Sequence, residues 1–338
     1  MSTKTPRHPT INDVAQRAGV SKSLVSLVMR GSPNVSEERR TAVLQAAEEL
    51  GYRPNAVARS LVSRRSGVLG LVLSDLHNPF FADVADGIEE QAVHKGYRAL
   101  LSSGFLDADR EAQAVDTLLQ LRVDGLLLLG TAGPIERFED AARSIPIVSM
   151  SRHTTTTVMD SVRSDDSAGV ALLVDHLVEL GHRRIAHITA VDGAGGPARL
   201  QGYRQAMETH GLGSEIRVTD GAFTQAAGRD AMSEIIESGD LPTAVLAPND
   251  YAALGVLEAA DAAGVAVPDD VSVTGYDNMA FARMQRVSLT TVEQPAAEIG
   301  RTATDLLLER VDEGRTEARH VVLPPTLVIG ATTARPRD

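Results

Sequence analysis

Residues 10–29 predict two short helices around a tight turn, and this pattern constrains the fold more narrowly than any other part of the sequence. Thr10 suits an N-cap, with Asp13 at the capping-box spacing. Apolar residues recur at helical spacing as far as Gly19, which suits the left-handed residue that ends a helix. Ser21 can cap a second helix, whose inner side carries Val25, Val28 and Met29. The pattern is that of a helix-turn-helix, whose second helix usually lies in the major groove of DNA.

A helical hairpin buried in a hydrophobic core is the alternative interpretation of this turn. The next segment favours the helix-turn-helix, because Ser36 can cap a third helix that has Glu37 and Glu38 in its first turn. Gly51 would end that helix. A link containing Pro54 then leads to one more helical turn, which Asn55 would cap.

This ordered series, followed by a long α/β body, resembles the family of the lactose, galactose and purine repressors (LacI/GalR-type). The resemblance covers nearly the whole chain. It implies a sequence-specific DNA-binding transcription regulator, a repressor that acts as a homodimer on palindromic double-stranded operator DNA. The residues expected to contact DNA are Thr10, Ser21, Lys22, Ser23, Ser26, Leu27, Arg30, Asn55, Ala58 and Leu61.

Two of these positions carry specific expectations. Leu27 is a departure, because family members often have Arg there; Leu cannot donate a hydrogen bond but can pack against a thymine methyl group. The hinge segment 55–62 is too short to be a stable helix alone, so it is expected to fold when paired with its dimer mate on DNA. Leu61, at the family's wedge position, would insert between central base steps, with Ala58 facing the groove floor.

Composition excludes several classes of protein. The 338 residues suffice for two or three domains, and the absence of cysteine excludes disulfides and thiolate metal sites. No signal peptide and no apolar run of roughly 18 residues occurs, so a cytoplasmic protein without a membrane partner is expected. The net charge is −12, yet residues 1–65 hold eleven Lys and Arg against five Asp and Glu. A basic head on an acidic body suits a protein that neutralises phosphates at one end only.

From Gly67 onward, apolar strands alternate with amphipathic helices. The predicted strands are Val68–Leu73, Tyr97–Ser102, Asp124–Leu129, Ile145–Met150, Arg184–Thr189, a short one before 224, Thr243–Leu246, Val271–Thr274, 321–325 and Thr326–Gly330. The predicted helices lie near 81–95, 109–121, 135–143, 166–181, 197–210, 224–238, 250–264 and 295–313. Such alternation predicts an α/β fold with parallel, doubly wound sheets.

The series starts again after its first sheet, which predicts a body of two lobes. We expect a helix-turn-helix domain over 1–54, a hinge helix and linker over 55–66, and an effector-binding and dimerisation body over 67–338. Lobe 1 would comprise about 67–163 and 294–325, and lobe 2 about 164–293 and 326–338. This body resembles the periplasmic-binding-protein-like fold of the same repressor family. No leucine heptad follows the last strand, so a dimer is expected rather than the tetramer of some relatives.

Ligands of open α/β sheets bind beyond the carboxyl ends of the strands, and several informative side chains are predicted there. They are Phe80, Phe81, Arg152, Arg199, Phe223, Asn249 and Asp277. Carboxylate, amide and guanidinium groups around an aromatic wall suit a small polyol. A sugar effector is therefore favoured, with a purine, another small metabolite or a partner-protein signal left open. The resemblance places ligand contacts at Arg199, Asn249 and Asp277.

Structural explanations compete with these assignments. Asn249 and Asp250 also suit a helix N-cap, Asp277 a turn and Asp165 a cap. Ser151-Arg152 lacks the carboxylate that the family often has before this Arg. Residues 193–197 hint at a phosphate loop but lack a Lys-Ser/Thr partner, and His182 and His187 lack metal-ligand partners. No catalytic residue, metal or cofactor is expected, which disfavours an enzyme; the missing export signal and the hinge disfavour a free solute-binding protein.

Overall fold

A computed structural model describes residues 9–29, 31–53, 65–191 and 193–337. The described residues up to Ser66 form one compact unit, and those from Gly67 onward form a second. The predicted hinge turn, at 55–62, lies outside the described residues.

The first unit contains α1 (Ile11–Ala18), α2 (Lys22–Met29) and α3 (Glu37–Leu50). The Asp13 carboxylate accepts hydrogen bonds from the Thr10 backbone N–H and from its hydroxyl, each at 2.7 Å. Gly19 adopts φ +67° and closes α1, because a residue without Cβ takes this conformation without a clash. The Ser21 hydroxyl accepts from the Leu24 N–H at 3.2 Å, at the start of α2. These local predictions are confirmed.

A small hydrophobic core joins the three helices. Val14, Val25 and Val43, one from each helix, are fully buried. An Arg17–Glu49 ion pair at 2.5 Å also links α1 to α3 on the surface. The second helix is therefore held by packing against both of the others, as a helix-turn-helix requires.

The second unit contains a parallel six-stranded sheet of order β11-β5-β4-β3-β1-β2. Its strands are β1 (Val68–Leu73), β2 (Arg98–Ser103), β3 (Gly125–Leu129), β4 (Ile147–Met150), β5 (Asp160–Ser164) and β11 (His320–Leu323). The helices between the first five are α4 (Pro79–His94), α5 (Ala108–Gln120) and the short α6 (Glu139–Ala142). A long helix, α11 (Ala296–Glu313), packs on α4 and precedes β11.

A parallel four-stranded sheet of order β7-β6-β8-β9 forms the other half of this unit. Its strands are β6 (Ile185–Thr189), β7 (Arg217–Asp220), β8 (Ala244–Leu246) and β9 (Ser272–Thr274). The helices of this half are α7 (Asp166–Leu180), α8 (Gly196–Thr209), α9 (Gln225–Glu237) and α10 (Asp250–Ala262). Beside it, β10 (Thr291–Glu293) pairs antiparallel with β12 (Thr326–Val328).

The chain passes between the two halves after β5, after β10 and after β11, since these strands and their successors belong to different halves. The predicted α/β class with parallel sheets is confirmed. Three local predictions need correction. β5 and β10 were not predicted, because Asp160–Ser164 contains a single aliphatic residue and Thr291–Glu293 is only three residues long. The helix expected over 135–143 is a 3₁₀ turn at Ile135–Phe138 followed by the single turn of α6. No described helix is long and apolar enough to cross a membrane.

Candidate functional site

The first unit carries the residues predicted to contact DNA. Ser21, Lys22 and Ser23 are exposed at the start of α2, whereas Thr10 and Ser26 are half-buried. Leu27 was expected to face outward, but it is half-buried and packs against the three-helix core. The remaining predicted contacts, Arg30, Asn55, Ala58 and Leu61, lie outside the described residues.

The second unit contains a cavity of about 320 Å³ between its two halves. Its walls are formed by residues that follow the carboxyl ends of β1 to β10. They are Ser74, Asp75, Asn78, Phe80, Phe81, Leu106, Gly130, Ala132, Ser151, Asp166, Ala190, Gly193, Ala194, Arg199, Gly221, Ala222, Phe223, Thr224, Asn249, Asp277 and Gln294. Parallel strands place these ends on one edge of each sheet, so two facing edges supply one site.

Six of the seven residues predicted for the effector line this cavity, and Arg152 does not. The Arg152 guanidinium donates instead to the Ala132 carbonyl at 3.1 Å. The Glu111 carboxylate accepts from the neighbouring N–H groups of Ala132, at 2.9 Å, and Gly133, at 3.3 Å. Arg152 and Glu111 therefore fix the loop after β3, and Ala132 of that loop contributes to the cavity wall.

Arg199, near the start of α8, is the centre of a buried polar cluster. Its Nε donates to Asp166 Oδ1 at 2.9 Å, and its Nη1 donates to the Pro248 carbonyl at 2.6 Å. Its Nη2 lies 3.7 Å from Asp277 Oδ1. The guanidinium also lies 3.7 Å from the ring centroid of Tyr276, a cation–π distance. Two carboxylates, a carbonyl and a ring therefore fix the orientation of this cation before any ligand binds.

Burial changes the protonation of the acids in this cluster. It raises the pKa of Asp277 to about 7, against the opposing attraction of Arg199. Burial, followed by repulsion from Asp277, raises the pKa of Asp250 to about 8. The pKa of Asp166 is also raised by burial and lowered less by Arg199. Near neutral pH Asp277, which lines the cavity, is therefore close to its pKa and can supply either an acceptor or an O–H donor, the two roles that a hydroxylated ligand needs.

Asn249 and Asp277 have structural roles, as a helix cap and a turn residue, in addition to lining the cavity. The Asn249 side chain caps α10 by accepting from the Ala252 N–H at 2.8 Å, and it also lines the cavity. Asp277 adopts φ +111°, a strained conformation for a residue with a Cβ. The Gln294 amide donates to Asp277 Oδ1 at 2.6 Å. Strain held in place by neighbours is common where a side chain is positioned for binding.

Aromatic rings form the apolar part of the wall. Phe80 and Phe81 are largely buried in the core below β1, with ring centroids 5.8 Å apart. Phe223 enters from the other half, where its ring packs so closely on Gly193 that a Cβ there would lie 2.3 Å from it. The glycine at 193 therefore allows this ring to approach the loop after β6, which is the loop that the sequence had suggested for phosphate binding.

Sequence reasoning missed seven polar residues of the wall; besides Asp75, Asn78 and Thr224, they include four whose hydrogen bonding bears on ligand binding. Asp166 and Gln294 contact Arg199 and Asp277, and the hydroxyls of Ser74 and Ser151 are buried without a protein hydrogen-bond partner among the described residues. All four follow the carboxyl end of a strand, so a search of every strand end would have found Ser74 and Ser151. Asp166 needed β5, which the sequence did not reveal. Unpartnered buried hydroxyls in a cavity are available to a polar ligand.

Neither His182 nor His187 lines the cavity. His187 is buried and stacks on Tyr203 with ring centroids 5.2 Å apart, and burial lowers its pKa to about 3. His182 Nε2 bonds the Ala334 carbonyl at 2.8 Å. Over the described ranges, no three His, Cys, Asp or Glu residues are grouped to hold a metal ion.

Comparison with known proteins identifies both units. Residues 10–55 match the model of bacterial regulatory proteins of the lacI family. Residues 174–333 match the model of a periplasmic binding protein-like domain.

Relatives match along nearly the whole chain. The HTH-type transcriptional repressor PurR of Edwardsiella ictaluri (strain 93-146) is 36% identical over 325 residues, which cover 94% of this chain and 95% of PurR. The lac repressor dimer bound to operator and the anti-inducer ONPF is 28% identical, with a TM-score of 0.87, covering 97% of this chain and 100% of that one. The transcriptional regulator CelR in complex with cellobiose is 32% identical, with a TM-score of 0.71. The match covers 96% of this chain and 99% of the CelR chain. The predicted family and fold class are thus confirmed, and the chain belongs to the lacI family of DNA-binding transcription repressors that carry an effector-binding domain.

Proposed function

We propose that this repressor binds palindromic operator DNA as a homodimer in the cytoplasm, and that a neutral sugar in the cavity controls its operator affinity. The polar cluster around Arg199 carries the proposal for the effector. Arg199 donates, Asp166 accepts, Asp277 accepts or donates, and the Ser74 and Ser151 hydroxyls have no protein hydrogen-bond partner among the described residues. Three Phe rings supply the apolar surface that covers the C–H faces of a sugar ring.

The charges of the cavity favour a neutral ligand. One guanidinium faces two buried carboxyl groups whose pKa values are raised, so an added phosphate or carboxylate would meet acids and little free positive charge. A purine remains the second candidate effector, since the Phe rings can also stack on a flat base. The regulator CelR, solved with cellobiose, shows that a fold similar to this one can hold a sugar. We assign the chain no catalytic role and no cofactor.

The architecture suggests how the effector acts. We divide the body into lobe 1, about 67–163 and 294–325, and lobe 2, about 164–293 and 326–338, joined to the DNA-binding domain (1–54) by the hinge (55–66). The six-stranded sheet draws its strands from lobe 1, and the cavity takes walls from both lobes. A ligand that contacts both lobes stabilises one relative orientation of them. The coupling to DNA is limited by the ligand's differential affinity for the two orientations, typically about 1–3 kcal/mol.

The test begins with DNA. The full chain is used to select binding sites from random duplexes, and the selected operator is then used in gel shifts at several salt concentrations. We expect a palindromic site, because two-fold dimers bind paired half-sites. Affinity should fall steeply with salt, because phosphate contacts release counterions. A failure to select any sequence would contradict the DNA-binding proposal.

The second stage locates the effector. Sugars and nucleosides are screened by thermal shift, since a ligand that binds the folded state raises Tm. Asp277→Ala and Asp277→Asn should bind operator normally and lose the effector response, whereas Asp261→Ala, on the exposed side of α10, should keep both. A normal response from both Asp277 variants would show that the cavity is not the effector site.

A further inference from the structure

A second depression continues from the mouth of the cavity and is open to solvent. It encloses about 620 Å³ and is lined by residues of both halves of the body: Asp75, His77, Phe105, Leu106, Thr224, Gln225, Ala226, Arg229, Tyr251 and Glu258. We refer to it as the outer groove. Asp75, Leu106 and Thr224 line both the outer groove and the cavity, so the two spaces are continuous.

The polar groups of the outer groove are of mixed charge. Asp75 and Glu258 contribute carboxylates, Arg229 a guanidinium and His77 an imidazole. His77 Nδ1 lies 2.8 Å from Asp75 Oδ1, and the Gln225 amide donates to Glu258 at 3.1 Å. Donors and acceptors of both signs, with little net charge, suit hydroxyl groups better than a phosphate or an ammonium group.

The apolar part of the outer groove is held in an unusual conformation. Phe105 and Leu106 adopt φ +54° and +57°, a region that side chains with a Cβ rarely occupy. The Leu106 N–H donates to the Ser74 carbonyl at 2.8 Å, and the Gly104 N–H donates to the Leu73 carbonyl at 2.9 Å. These bonds tie the loop to the end of β1. Both side chains nevertheless remain more than half exposed, at 56% and 57%.

The exposed side chains of Phe105 and Leu106 do not stabilise the fold, and their backbone conformation is strained. This combination indicates a ligand-binding surface. The Arg110 guanidinium lies 5.5 Å from the Phe105 ring centroid, a cation–π distance that helps to hold the ring at the rim. An aromatic ring beside hydroxyl-binding groups is the combination that also lines the cavity.

We propose that the outer groove is a second subsite, which takes the second sugar unit of a neutral disaccharide or other glycoside whose first unit lies in the cavity. The inference rests on the proposed sugar effector. The cavity, at about 320 Å³, is near the lower end of the roughly 300–1,000 Å³ of ligand pockets. A larger ligand must therefore extend outward, and the shared wall of Asp75, Leu106 and Thr224 directs it into the outer groove.

The experiment measures affinities of the full chain by isothermal titration calorimetry. The probes are D-glucose, D-galactose, D-mannose and D-xylose, each beside its methyl and phenyl glycosides and its disaccharides in α and β linkage. We expect at least one glycoside or disaccharide to bind tenfold or more tightly than its parent monosaccharide.

Two variants locate the added affinity. Phe105→Ala and Arg229→Ala should each reduce affinity for that extended probe about tenfold and leave affinity for the parent sugar unchanged. The matched controls are Leu121→Ala and Arg143→Ala, because both side chains are exposed and lie outside the cavity and the outer groove. The controls should alter neither affinity.

Three results would overturn the inference in distinguishable ways. Equal or weaker binding of every extended probe would remove the second subsite and leave the sugar effector standing. Tighter binding that both variants retain would place the second unit outside the outer groove. If none of the probes binds while operator affinity is normal, the sugar effector is wrong, and the subsite for a second sugar unit is wrong with it.

Discussion

Asp160, the first residue of β5, should be among the most destabilising positions of the body when substituted. Its side chain is fully buried and accepts from two arginines. Arg310 donates at 2.9 and 2.8 Å, and Arg315 donates at 3.1 and 2.6 Å. The Arg319 N–H donates a fifth hydrogen bond at 2.8 Å. The carboxylate therefore joins β5 to the end of α11 and to the segment that leads into β11.

The loss of stability expected for Asp160→Ala depends on the buried groups that lose their hydrogen-bond acceptor. Arg310 and Arg315 are only 8% and 11% exposed, so two buried cations would lose the carboxylate that both contact, although Arg315 would keep Glu309 at 2.8 Å. Removing one partner of a buried ion pair typically costs about 3–5 kcal/mol. For a unit of this size the corresponding fall in Tm is on the order of 10 °C. Asp160→Asn should reduce stability nearly as much, because its amide has one acceptor oxygen, whereas the donors from Arg310, Arg315 and Arg319 use both oxygens of the Asp160 carboxylate.

Circular dichroism with urea denaturation of the full chain measures this effect, provided that the transition of the body is followed separately from that of the small DNA-binding domain. Asp240→Ala is the matched control, since Asp240 also pairs with two arginines, Arg184 and Arg217, but on the exposed surface. Removal of the Asp240 carboxylate should change the free energy of unfolding little, because exposed ion pairs contribute little to stability. An Asp160→Ala variant no less stable than the control would refute the reasoning.

The pH dependence gives the same argument a second check. Burial alone would raise the pKa of Asp160, but hydrogen bonds from Arg310 and Arg315 outweigh it and lower the pKa. A lowered pKa stabilises the folded state above the unfolded pKa of about 3.9, and that stability is lost as pH falls through the folded value. The difference in free energy of unfolding between wild type and Asp160→Asn should therefore have its maximum value above about pH 5 and decrease below about pH 4.

Three further predictions concern other parts of the molecule. Leu27→Arg should shift base preference toward G·C at one symmetric pair of operator positions, because the longer Arg side chain can extend its guanidinium out of this half-buried position and donate to guanine; binding-site selection that returns identical motifs for both proteins would contradict this. Since burial raises the pKa of Asp277 to about 7 and of Asp250 to about 8, each carboxyl group favours folding below its unfolded pKa, and that stability is lost as pH rises through the folded value. The Tm of the ligand-free body should therefore fall as pH rises from about 4 to about 8 and level off above that, and a flat profile over this range would be evidence against these shifts. Gly228→Ala should destabilise the body by about 1–3 kcal/mol despite the better helix propensity of Ala, because the added Cβ would lie 2.0 Å from the Ala252 carbonyl oxygen; unchanged urea unfolding would show that α9 and α10 can move apart.

The sequence alone was sufficient where structure depends on neighbours along the chain. Thr10, Asp13 and Gly19 act within one helix and its ends, so capping chemistry predicted α1 and the turn after it. Apolar periodicity predicted most strands and helices of the body to within a few residues, because buried parallel strands need continuous apolar runs. The rule that ligands bind at strand ends then placed six of the seven predicted effector residues on one cavity.

Tertiary structure decided what depends on residues far apart in the chain. Asp160–Ser164 is a strand because Arg310 and Arg315, about 150 positions later, neutralise a carboxylate that would otherwise be too costly to bury. Arg152 follows a strand end as expected, yet it turns toward Ala132 and Glu111 instead of the cavity. Asp166 and Gln294 join the site because the chain passes between the two halves beside them. A local pattern records the period of a strand or helix, whereas the partner of a buried charge is set by packing between distant segments, which no short stretch of sequence specifies.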